Sequence, residues 1–112
     1  MNGPPTDDQM RAELTHARRY TIAVLIKTER YADEGSPRIV WEHGRRNFVL
    51  RAEGKLAIVC PVNDGTAVSG YGIFVGSTEE VRQILDDDPA VQAGIFTYEL
   101  HPTVSFPGDR LP

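Results

Sequence analysis

The chain has 112 residues, with 40% hydrophobic and 25% charged side chains and a formal net charge of −4. That length holds one domain, and the composition is that of an ordinary globular protein rather than a disordered one. The longest apolar run, Ile22 to Ile26, is far short of the ~20 residues a membrane span needs, so no membrane partner is expected. The negative charge argues against a nucleic-acid partner, which calls for a basic footprint. The single Cys60 and the lack of a leader-like N-terminus point to a reducing cytoplasm.

In chain order, Thr6 and Gln9 fit a capping box, with Asp7 and Asp8 at the positive end of a short helix. Met10, Leu14 and Ala17 would form its apolar stripe. Tyr20 to Lys27 is rich in β-branched and aromatic residues and predicts a buried strand. A polar loop follows to Pro37. Ser36 is the expected cap of a helix from Pro37 to Glu53, which Gly54 stops in the left-handed conformation. Leu56 to Val62 predicts a second strand, Asn63-Asp64-Gly65 a turn, and Val68 to Val75 a third strand. Ser77 or Thr78 caps a helix from Glu79 to about Asp86, ended by Pro89. Gly94 to Leu100 is the last strand.

The order is β-α-β-β-α-β after an extra N-terminal helix, which is the ferredoxin-like split pattern of an α+β fold. Residues 1–18 form an extension, 19–102 the domain and 103–112 an extended tail. Two helices cover one face of a four-stranded antiparallel sheet. Side chains alternate along a strand, so Ile22, Val24, Ile58, Tyr71, Ile73 and Val75 cannot all meet the helices. A homodimer, sheet against sheet, is the expected cover.

From Tyr20 to Pro102 the sequence resembles the YCII-related (YciI-like) family. The resemblance is carried by His43 on a helix, Gly54 ending that helix, the strand end Cys60-Pro61, and the run Asp88-Pro89-Ala90-Val91-Gln92-Ala93-Gly94-Ile95. It implies a ferredoxin-like dimer whose sheets face each other around a cavity, and a His43–Asp88 pair as the active site. A related dehydrochlorinase makes proton-transfer chemistry the implied reaction type. Two positions depart from the pattern: Cys60 stands where glycine is usual, and Gly44 where leucine is common.

On composition alone His43 is a surface histidine beside Glu42, Arg45 and Arg46, and Asp88 a solvated helix end. With the resemblance, His43 becomes a general base and Asp88 the group that orients it. Three acids in a row, Asp86 to Asp88, also break a local rule, because a helix C-terminus is itself partly negative. Such a break points to a function or a nearby cation. Cys60 reads as a buried small hydrophobe that could border the substrate. Arg38, close to the helix start, could attract an anionic substrate or simply be solvated or paired with a glutamate, and Tyr71, between two glycines, could present its ring to a ligand or serve packing. Trp41 reads as core or dimer-face material. There is no metal-ligand spacing, no phosphate loop and no hydrolase elbow, so no cofactor is expected.

The function expected is therefore a small enzyme of lyase or isomerase type acting on a small organic molecule. The alternative is a non-catalytic dimeric module that binds or senses a small ligand. A haem- or oxygen-using enzyme with His43 or His101 as axial ligand ranks last, resting on fold analogy alone.

Overall fold

A computed structural model describes residues 3–112. The first helix, α1 (Asp7–Leu14), carries the expected capping box: Thr6 and Gln9 exchange bonds between side chain and amide. None of its residues is buried. Ala17 lies beyond its end, and Met10 and Leu14 are exposed, so the expected stripe is left open among the described residues.

Strand β1 (Arg18–Lys27) leads into a single 3-10 turn, Glu29–Ala32, and then α2 (Ser36–Ala52). Ser36 is not the cap that the sequence suggests. Gly35 takes that position, and Ser36 is the first helical residue, its hydroxyl donating to the Arg30 carbonyl at 2.5 Å. The 3-10 turn brings that carbonyl within reach. Gly54 ends α2 as expected, with φ +76°. Its amide reaches the Arg51 carbonyl and that of Lys55 the Leu50 carbonyl, each at 3.0 Å, so the last turn is closed.

Strands β2 (Leu56–Pro61) and β3 (Val68–Val75) follow, then α3 (Thr78–Asp86), boxed by Ser77 and Glu80. A one-turn helix, α4 (Pro89–Gln92), stands where only a stop was expected. Strand β4 (Phe96–Ser105) runs five residues past Leu100, because residues 101–105 stay paired with β1 from Ile22 back to Arg18.

The sheet order is β2-β3-β1-β4, every pair antiparallel. One face packs on the helices through Ala23, Leu56 and Phe74 against Leu50, Val81 and Leu85. A second cluster, Ala90, Ile95 and Phe96 with Leu25 and Val40, seats α4 beside α2. The register places Ile22 and Val24 of β1 opposite Ile73 and Tyr71 of β3, and Ile58 and Cys60 of β2 opposite the same two residues. All six side chains therefore share the face that no helix covers. Among the described residues no helix is long and apolar enough to cross a membrane.

Candidate active site

Helical spacing turns Val40, His43, Gly44 and Asn47 of α2 toward the sheet, where all four line a cavity of 350 Å³. Leu25, Val59 and Phe96 supply much of its apolar wall. His43 is 8% exposed and so is not the surface histidine that its charged neighbours suggest. Its ring meets that of Phe96 edge-on, with centroids 5.1 Å apart.

Asp88 reaches His43 because of α4. Its backbone is extended at the cap position, Pro89 opens the helix, and Oδ2 accepts the amides of Ala90 at 2.9 Å and Val91 at 3.3 Å. Those bonds fix the carboxylate and leave Oδ1 free for His43, whose Nδ1 lies 2.8 Å away. The aspartate is 1% exposed, the opposite of a solvated helix end.

Burial by itself would raise the Asp88 carboxyl pKa. The His43 hydrogen bond and charge, together with the two amides, outweigh burial and hold it below its ordinary value. An ionised carboxylate only accepts, so Nδ1 of His43 carries the proton. In the neutral ring the lone pair is then on Nε2. Asn47 Nδ2 stands 3.3 Å from that nitrogen and donates to it. If Nε2 takes a proton, a flip of the Asn47 amide presents its oxygen instead, so one residue can serve both states of the ring.

The remaining expected site residues do not all converge on His43. Cys60 and Tyr71 border the cavity, but they are register partners of one another and both side chains lie on the uncovered face. Cys60 is exposed in the chain rather than buried. Arg38 is exposed and does not line the cavity. Trp41 is 70% exposed on the outer side of α2, outside the core. His101 is half exposed and stands 3.5 Å from Glu99, away from His43. The sequence reading missed Asn47, although its position four residues after His43 puts it one helical turn away. It also missed the cap role of Asp88, which Asp followed by Pro at a helix start signals.

No protein-family model matches the sequence, and no curated protein matches it. The fold does have a counterpart among solved structures: the 5-chloro-2-hydroxyhydroquinone dehydrochlorinase TftG from Burkholderia phenoliruptrix AC1100, in complex with 2,5-dihydroxybenzoquinone. The two share 16% identity with a TM-score of 0.51, over 73% of this chain and 90% of that one. At that identity the likeness establishes a common α+β fold.

Proposed function

We propose that the chain is a small acid–base enzyme of lyase or isomerase type. His43 takes a proton from a small organic molecule in the cavity, and Asp88 holds the ring in place for it. One observation carries this reading: a buried histidine and a buried carboxylate meet at 2.8 Å beside a cavity of 350 Å³.

Nε2 would remove a proton from a carbon next to an oxygenated group. The C–H electrons move into the substrate, which then expels a leaving group or regains the proton elsewhere. Asp88 offsets the positive charge that the ring gains. The apolar walls lower the local dielectric, which strengthens that compensation. A planar, oxygenated six-membered ring is the substrate class we favour, because the fold counterpart is a dehydrochlorinase bound to such a molecule. Cys60 and Tyr71 would shape the sheet side of the cavity, and Arg38 would act from outside by drawing in an anion. The chain would work as a homodimer, a second copy covering the open sheet face.

A second reading is a ligand-binding module without catalysis. It is favoured by Asn47, which already occupies Nε2, although at a long 3.3 Å.

Chlorinated hydroxyhydroquinones offered in heavy water test both readings, with chloride release and deuterium uptake followed by NMR. Wild-type protein should turn over, and His43→Asn should slow it by ~100-fold or more, the scale of a lost general base. Binding without turnover would leave only the second reading. Equal rates in the two proteins would overturn the assignment of His43.

A further inference from the structure

A second depression lies against the His43 cavity on the outer flank of α2. It measures 540 Å³ and is lined by Tyr31, Pro37, Val40, Trp41, Gly44, Arg45 and Phe48. Tyr31, Val40 and Gly44 line the His43 cavity as well, so the two spaces meet at these three residues.

Gly44 is the unusual member. It lies well inside α2, where glycine weakens a helix relative to alanine. Its backbone has no positive φ that would demand glycine. No neighbouring side chain or distant backbone comes within 4 Å of the point where a Cβ would stand. Packing therefore does not require the missing side chain. What its absence provides is open space at the junction of the two cavities. On the far side, Trp41 and Phe48 are 70% and 64% exposed, large apolar surfaces left uncovered among the described residues.

Building on the active-site reading above, we propose that Gly44 is a specificity-determining gap. The substrate's ring sits beside His43, and an apolar substituent on that ring passes Gly44 to lie along Tyr31, Trp41 and Phe48. The ligand class is then an oxygenated ring bearing a hydrocarbon chain or second ring, rather than the bare ring. A leucine at this position would fill the gap and confine the site to small rings.

The probes are dihydroxybenzoquinone and the same ring carrying a six-carbon alkyl chain. Affinities are measured by titration, and the His43 imidazole and Trp41 indole signals are followed by NMR. In wild type the alkylated ring should bind at least tenfold tighter and move both signals. In Gly44→Leu the tenfold gain of the alkylated ring over the bare ring should disappear. Trp41→Ala, a surface change that leaves the helix interior intact, should cut the same gain. If His43 responds to both probes but Gly44→Leu keeps the gain, the gap is overturned and the active-site reading stands. If neither probe moves the His43 signal, the active-site reading fails and this inference with it. If Trp41→Ala halves the mass in solution, the groove is an interface between two copies, which overturns its role as a ligand subsite.

Discussion

Arg46 places one guanidinium nitrogen 3.7 Å from Asp88 Oδ1 while donating from that same nitrogen to the Ile84 carbonyl at 2.6 Å. Ile84 lies in the last turn of α3, where carbonyls lack helical partners. A cation from α2 thus caps the end of α3 at which Asp86, Asp87 and Asp88 accumulate negative charge. This accounts for an acidic run that helix electrostatics alone would disfavour. Arg46→Met keeps the apolar stem and removes the charge. Because the side chain is about a quarter exposed, we expect a loss of only about 1–2 kcal/mol in urea unfolding, with the difference shrinking at high salt. No change between the two proteins would mean that the contact contributes nothing.

Asp88 divides its oxygens between two tasks, one on His43 and one on the start of α4. Asp88→Ala removes both. A lost cap costs about 1 kcal/mol, and a buried imidazole N–H left without a partner about 1–3 kcal/mol more. The expected total is about 2–4 kcal/mol. Asp88→Asn keeps one side-chain oxygen, enough for the α4 cap or for the Nδ1 proton but not for both, so it should lose less than Asp88→Ala without matching wild type. Equal losses in the two variants would show that the charge, not the cap or the hydrogen bond, is what matters.

The acid limb of stability follows from the same carboxylate. Its pKa in the folded protein lies below the ordinary 3.8. A depressed carboxyl contributes stability in full above its unfolded value, and that contribution drains away as pH falls through the folded value. The stability difference between wild type and Asp88→Asn should therefore hold steady down to about pH 5 and shrink toward about pH 2. Urea midpoints across that range measure it. A difference that grows in acid would reverse the sign and sink the assignment.

Short-range signals in the sequence survive into the fold nearly unchanged. Thr6 with Gln9 and Gly54 after α2 act within one helical turn, and they form as read. The bare sheet face was also legible, because alternation along a strand leaves no other outcome. The His43–Asp88 pair is different in kind. Its members are separated by 45 positions, and nothing in local chemistry joins them. The family pattern points to the meeting, and α4, which the sequence signals only as a stop at Pro89, makes it possible. Burial of Cys60 within the chain failed as an expectation, and Trp41 falls outside the core, because apolar character does not say which face a residue occupies. Their strand and helix positions turn them outward.

Two glycines should respond to alanine in opposite directions. At Gly70 a Cβ would stand 2.9 Å from the Cys60 carbonyl oxygen, a backbone atom of the paired strand. Gly70→Ala must push β2 away and should cost about 1–3 kcal/mol, the usual price of overpacking. At Gly44 the same atom meets nothing within 4 Å. Gly44→Ala should raise stability by up to ~1 kcal/mol through helix propensity and the unfolded chain's lost freedom. Thermal unfolding of both variants checks the contrast. A destabilised Gly44→Ala would show that α2 needs the gap for packing, not for ligand.

The uncovered sheet face is expected to pair two copies of the chain. Ile22, Val24, Ile58 and Ile73 lie together on it, with Val75 half exposed at its edge. A stable pair of proteins typically buries ~800 Å² per partner, which a four-stranded face can supply. Light scattering should therefore give twice the chain mass. Ile73→Lys puts a charge in the middle of that face, where desolvation would oppose pairing. It should yield the single-chain mass. His43 and Asp88 lie on the opposite side of the sheet, so their hydrogen bond should survive the change. The imidazole signal of His43 reports on that separately. A wild type that runs as a single chain at ~100 μM, a concentration at which even a micromolar complex would form, would show that this face is covered by something other than a second copy.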